Sequence, residues 1–132
     1  MKFAKLTFLI AGIYGLIVLV PMYFFEERTG CDYPPPITHP EYYYGFIGVG
    51  VAWQLMFLFL SRDPVRHRSL MIPSMVEKLS FVIPAIVLLA LHRIPLMIFG
   101  VSMADLVLFV LFLIAYLKTA NIPHEPHSSA VS

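Results

Sequence analysis

Four runs of apolar residues dominate the chain, each close to the roughly 20 helical residues needed to cross about 30 Å of hydrocarbon. They lie at about 3–25, 42–61, 70–91 and 94–117. The connections between them are short, so consecutive helices must run antiparallel. The pattern predicts an all-α, polytopic membrane protein, an antiparallel four-helix transmembrane bundle over residues 1–118, with a disordered cytoplasmic tail at 119–132. Strands closed into a barrel fit poorly, because the runs do not alternate with a period of two. A chain of 132 residues that is 59% hydrophobic also leaves no room for a soluble catalytic domain.

The first run begins like a secretory signal, with Lys2 and Lys5 ahead of apolar residues. It exceeds the length of a signal core, and no small-x-small cleavage site precedes Glu26, so it reads as a retained first span. Basic residues set the expected orientation. Lys2, Lys5, Arg62, Arg66, Arg68 and Lys118 fall on one side, against Arg28 and Arg93 on the other. Both termini are therefore expected in the cytoplasm, with the protein in the inner (cytoplasmic) membrane. Arg62, Arg66 and Arg68 are candidates for contact with lipid head groups. The basic residues lack the aromatic interleaving of a nucleic-acid surface, so no nucleic acid partner is expected.

Connections carry their own signals. In "SRDPVRHRS", Asp63 can cap a helix that begins at Pro64 and runs along the inner surface, to be kinked at Pro73. Pro34, Pro35 and Pro36 favour an extended course in the first outer loop. Tyr42, Tyr43 and Tyr44 suit the outer membrane interface. Cys31 is the only cysteine, which excludes an internal disulfide and a thiolate zinc cluster.

Helices in lipid associate through small residues that allow close backbone approach. Ala11 and Gly15, Gly48 and Ala52, and Gly100 and Ala104 are each four apart, and are expected to form seams within the bundle or between copies.

Ionisable groups inside a span need a reason to be there. Glu77 and Lys78 stand side by side about 6–10 Å into the third run, and Asp105 lies about 16 Å from the outer end of the fourth. Adjacent helix positions do not face one another, so Glu77 and Lys78 are not expected to neutralise each other across one face. Lys78 can snorkel toward the cytoplasmic head groups. Tyr14 and Gln54 fall at heights similar to Asp105. Tyr14, Gln54, Glu77, Lys78 and Asp105 thus form a candidate intramembrane site for a polar head group or protons, or else a network that only fixes helix register. His39, Glu41 and His92 are outer-face candidates with ligand chemistry but no ligand spacing, so no metal or cofactor is expected. Catalytic triads, phosphate loops and CxxC pairs are all missing, and no catalytic residue is assigned.

The order "HPEYYYGF", "AWQ", "RDPVRHR", "VEK" and a lone Asp in the last span resembles uncharacterised small four-helix bacterial membrane proteins of the DoxX-like type. That resemblance implies a bacterial cytoplasmic membrane and supplies no reaction. Three functional classes follow from the residues. One is a non-enzymatic accessory or structural protein that packs against a larger membrane protein or against itself as a homo-oligomer. The others are a small proton-linked transporter and a lipid- or quinone-binding enzyme with a polar site inside the bundle.

Overall fold

A computed structural model of the protein describes residues 2–32 and 34–122. Most of these residues are helical and none is in a strand. Helix α1 (Lys2–Leu19) tightens into a 3-10 segment over Val20–Phe24, where Pro21 lacks the N–H that an α-helix would use. A short helix α2 (Glu26–Asp32) follows, in a loop for which only an extended course was expected. Helix α3 (Pro40–Arg62) has proline in its first turn, where no intrahelical donor is required. The remaining helices are α4 (Met71–Ala90) and α5 (Leu96–Lys118). The four long segments are each long and apolar enough to cross a membrane.

Their antiparallel arrangement is visible in the core. Ala4, Phe8 and Ala11 from the start of α1 pack with Phe57 and Leu60 from the end of α3, Met71 at the start of α4, and Leu108, Phe112 and Ala115 late in α5. At this terminal end, Phe8 stacks on Phe112 at 4.4 Å and the edge of Phe57 meets Phe112 at 5.1 Å. Such pairings add dispersion and quadrupole attraction, which matter most where lipid is as apolar as the protein interior. Helix α1 packs against both α3 and α5, and α4 packs against α5. Helices α3 and α4 are consecutive yet do not pack closely on each other.

At the opposite, loop end the contacts are polar. Tyr43 Oη donates to the Met22 carbonyl at 2.6 Å, and Tyr44 Oη donates to Glu26 Oε2 at 2.8 Å. Only Tyr42 of the three tyrosines turns outward, 72% exposed, because successive helix positions diverge by about 100°.

Several expectations require correction. No helix starts at Pro64. Residues 64–67 form turns, with Asp63 Oδ1 accepting the Arg66 N–H at 3.2 Å, and a 3-10 segment Arg68–Leu70 leads into α4. Pro64 and Val65 are buried, so this connection does not lie along the surface as an amphipathic helix. Pro73 falls in the first turn of α4, where its missing donor breaks no bond; the interior proline is Pro84, which deprives the Ser80 carbonyl of its partner. Of the small-residue pairs, Ala11 and Gly15 are in the α1–α3 seam, together with Gly12 against Leu58. On α3, Gly50 lies against Leu19 and Gly48 faces the Tyr23 hydroxyl, while Ala52 is exposed and a Cβ at Gly100 would meet nothing within 4 Å among the described residues. Thr119, counted with the tail from sequence, is 1% exposed and donates to the Ala115 carbonyl at 2.9 Å. The rest of the tail expectation, from residue 123, lies outside the described residues.

Helix α4 ends on His92, whose φ of 57° is left-handed. The Arg93 N–H reaches the Leu88 carbonyl at 2.8 Å and the His92 N–H the Leu89 carbonyl at 3.0 Å, the bond pair of a Schellman ending. Glycine suits that position better than a residue with a Cβ, by about 1 kcal/mol. His92→Gly is expected to raise stability by about that amount, read as a higher midpoint when the protein is unfolded from mixed micelles.

Candidate functional site

Buried positions of α4 recur at Met71, Ser74, Lys78, Val82 and Ala85, a helical stripe with spacings of three and four. Lys78 belongs to that stripe, so its side chain enters the bundle and the residue is 4% exposed. Its Nζ donates to Asp105 Oδ1 of α5 at 3.3 Å and stands 3.4 Å from Glu77 Oε2. Beneath it lies the Phe57 ring, with the centroid 5.3 Å away, close enough for a cation–π contact.

Two expectations are thereby overturned. Lys78 does not snorkel outward: it is buried, with its Nζ held between the Glu77 and Asp105 carboxylates. Glu77 and Lys78 do approach one another, since the four-carbon lysine stem curls back toward its neighbour. The two form an ion pair, Nζ to Oε2, at 3.4 Å.

On α3, Gln54 is 3% exposed. Its Nε2 donates to the Gly50 carbonyl at 3.1 Å, one turn earlier. A carbonyl can only accept, so this bond fixes which end of the amide is the oxygen. That oxygen, Oε1, is buried and has no hydrogen-bond partner among the described residues. Gln54 can occupy this place because Gly15 of α1 lies directly against it, and a Cβ there would overlap Oε1 and Cδ.

The five sequence candidates share one cavity of about 340 Å³, which Tyr14, Gln54, Glu77, Lys78 and Asp105 line together. All four long helices contribute to its wall, with Val18, Leu19, Phe46 and Phe81 as its apolar part. The Phe8, Phe57 and Phe112 cluster lies toward the terminal end. A second hollow, about 480 Å³, lies along the poorly packed α3–α4 side, lined by Trp53, Ile72, Pro73, Val76, Glu77 and Ser80. Glu77 and Ser80 are walls of both.

The other candidates stand apart. His39 Nδ1 meets Glu41 Oε1 at 3.1 Å, with both side chains well exposed. His92 is in the α4–α5 connection, and among the described residues no group of three or more His, Cys, Asp or Glu is placed to hold a metal. Arg62 stacks on Phe59 at 5.4 Å, and Arg66 is exposed at the surface. Arg68, a head-group candidate, is instead turned to α5: Nε and Nη2 donate to the Tyr116 carbonyl at 3.1 and 3.0 Å, with the guanidinium 3.7 Å above the Tyr116 ring. The sequence reading missed Gly50 and Ser80 as wall residues. It named Gly15 only as a packing residue, although its lack of a Cβ is what admits Gln54.

Removing one member of a buried ion cluster leaves the others uncompensated, whereas replacing the whole cluster by neutral groups of like shape costs little. Lys78→Met is expected to destabilise the bundle by about 3 kcal/mol, and the triple variant Glu77→Gln, Lys78→Met, Asp105→Asn to recover most of that loss, measured as unfolding midpoints in micelles. Comparison of the chain with protein-family models, with curated proteins and with solved structures returns no match in any of the three.

Proposed function

We propose that this chain is a multi-pass protein of the cytoplasmic membrane, with both termini in the cytoplasm, that binds an amphipathic molecule in the cavity between its helices. The observation that carries the reading is the cavity of about 340 Å³ that Tyr14, Gln54, Glu77, Lys78 and Asp105 line together with apolar side chains. Polar and ionisable groups gathered in an apolar interior are costly and mark binding sites, and a polar head group is what such a wall would receive. The apolar hollow beside α3 and α4 gives such a molecule a place for its tail, on a side open to lipid.

Orientation rests on six basic residues at the terminal end, Lys2, Lys5, Arg62, Arg66, Arg68 and Lys118, against Arg28 and Arg93 at the other. Cys31 is free and exposed in α2, at the loop end. A membrane-impermeant maleimide is expected to label Cys31 in intact cells; labelling that appears only after lysis would reverse the orientation.

A second reading, an accessory subunit beside a larger membrane protein, draws on α5. Gly100 and Ala104 give that helix a small-residue face, and a Cβ at Gly100 would meet nothing within 4 Å among the described residues. Native mass spectrometry of the gently extracted protein separates the two. A stoichiometric small molecule that disappears in Gly15→Ala, where the new methyl pushes Gln54 into the cavity, supports the binding reading. A stoichiometric protein partner with no small molecule favours the accessory one.

A further inference from the structure

Contacts between the long helices sort into two pairs. Helix α1 and the segment that continues it are tied to α3: Tyr43 Oη donates to the Met22 carbonyl, Tyr44 Oη donates to Glu26 Oε2, and Gln54 is seated against Gly15. Helix α4 and the turn before it are tied to α5: Arg68 donates twice to the Tyr116 carbonyl, Lys78 Nζ donates to Asp105 Oδ1, and the Thr119 hydroxyl reaches Met71 Sδ at 4.0 Å. Each of these ties stays inside its own pair. The cavity lies between the pairs, with Tyr14 and Gln54 on one wall and Glu77, Lys78 and Asp105 on the other.

Where the pairs meet, aromatic rings dominate. Phe8 stacks on Phe112, the edge of Phe57 meets Phe112, Lys78 lies against the Phe57 ring, and Lys118 stands 4.6 Å from the centre of the Phe3 ring. The core cluster that joins all four helices is drawn from the same half of the bundle, toward the terminal end. Leu19, Ile47, Val82 and Ala85, buried nearer the loop end, stand outside it. On the side where α3 faces α4, an apolar hollow separates the pairs.

Resting on the reading of a ligand in this cavity, we propose that the two helix pairs are the arms of a tweezer that pivots on the phenylalanine cluster and parts toward the loop end, opening the cavity to lipid between α3 and α4. Hydrogen bonds hold each arm together, because polar groups that lose their partners in hydrocarbon are costly to strand. Apolar contact between the arms is exchanged at little cost, since lipid chains are as apolar as the side chains they replace. Opening strands no charge either: the three ionisable groups of the wall all belong to the α4–α5 arm and move together. A ligand admitted this way is drawn from the hydrocarbon of the bilayer rather than from water.

The test needs no ligand, so its outcome is independent of whether a bound molecule is found. Cys31→Ser removes the native thiol, and nitroxide labels on pairs of introduced cysteines give distances by double electron–electron resonance in the full chain in phosphatidylcholine nanodiscs. Leu6, Tyr42, Ile72, Val76, Val87 and Leu96 are all exposed and tolerate a label without disturbing the core. Leu6→Cys with Tyr42→Cys reports the α1–α3 arm, and Val76→Cys with Leu96→Cys the α4–α5 arm. Between the arms, Leu6→Cys with Ile72→Cys reports the terminal end and Tyr42→Cys with Val87→Cys the loop end.

Both pairs within an arm, and the terminal pair between arms, are expected to give a single narrow distance. The loop-end pair is expected to show a second population longer by several ångströms, enough to admit a hydrocarbon chain. A single narrow distance at the loop end would overturn the opening. A second population at the terminal end would overturn the pivot, and one within an arm would overturn the division into rigid pairs.

Discussion

The ammonium of Lys78 is the constraint on which the interior depends. Placed in the centre of the packed stripe of α4, it cannot reach water, and an isolated charge there would be prohibitively costly. Asp105 is recruited from α5 and Glu77 from the next position on α4. This arrangement fixes the rotation of α4 against α5, because turning either helix by one residue would separate Nζ from Oδ1. Contacts of α5 with α1, and of α1 with α3, then carry that rotation to the remaining helices.

Much of the fold was legible in the residues. Span ends agree with the observed helices to within a few positions, because apolar length and proline placement are local properties. The similar heights of Tyr14, Gln54 and Asp105, with Glu77 and Lys78 somewhat lower, were also legible, since height along a helix follows from counting residues at a fixed rise; that all five line one cavity was not. What counting could not give was direction around the helix axis. Lys78 was weighed as a snorkelling residue, although the recurrence of Met71, Ser74, Lys78, Val82 and Ala85 carried the signal that it faces inward. Arg68 was assigned to head groups, and its engagement with the Tyr116 carbonyl depends on where the end of α5 arrives. Ala11 and Gly15 pack inside the bundle while Gly100 meets no neighbour, for a similar reason: a four-residue spacing says that two residues share a face, not which neighbour that face meets. Gly50 carries no such spacing signal, since no small residue stands four positions from it in α3.

The space between α3 and α4 has a simpler origin. Their connection, with Pro64 and Val65 buried and Arg68 held against α5, draws the start of α4 toward the end of α5 rather than along α3. The two helices diverge from there, and bulky groups such as Trp53 and Met56 line the gap without filling it. A bundle of this size buries little of α4 and α5, so the divergence costs few contacts.

The ring cluster of Phe8, Phe57 and Phe112 closes the bundle toward the terminal end, and this bears on timescale. Groups near Gln54 and Glu77 can rearrange by rotamer changes on the picosecond-to-nanosecond scale. Parting three interlocked rings contributed by three helices demands a collective helix displacement, which belongs to microseconds or longer. The bundle is thus kinetically unequal along its length: side chains on the cavity wall rearrange quickly, while parting the phenylalanines is a much rarer event.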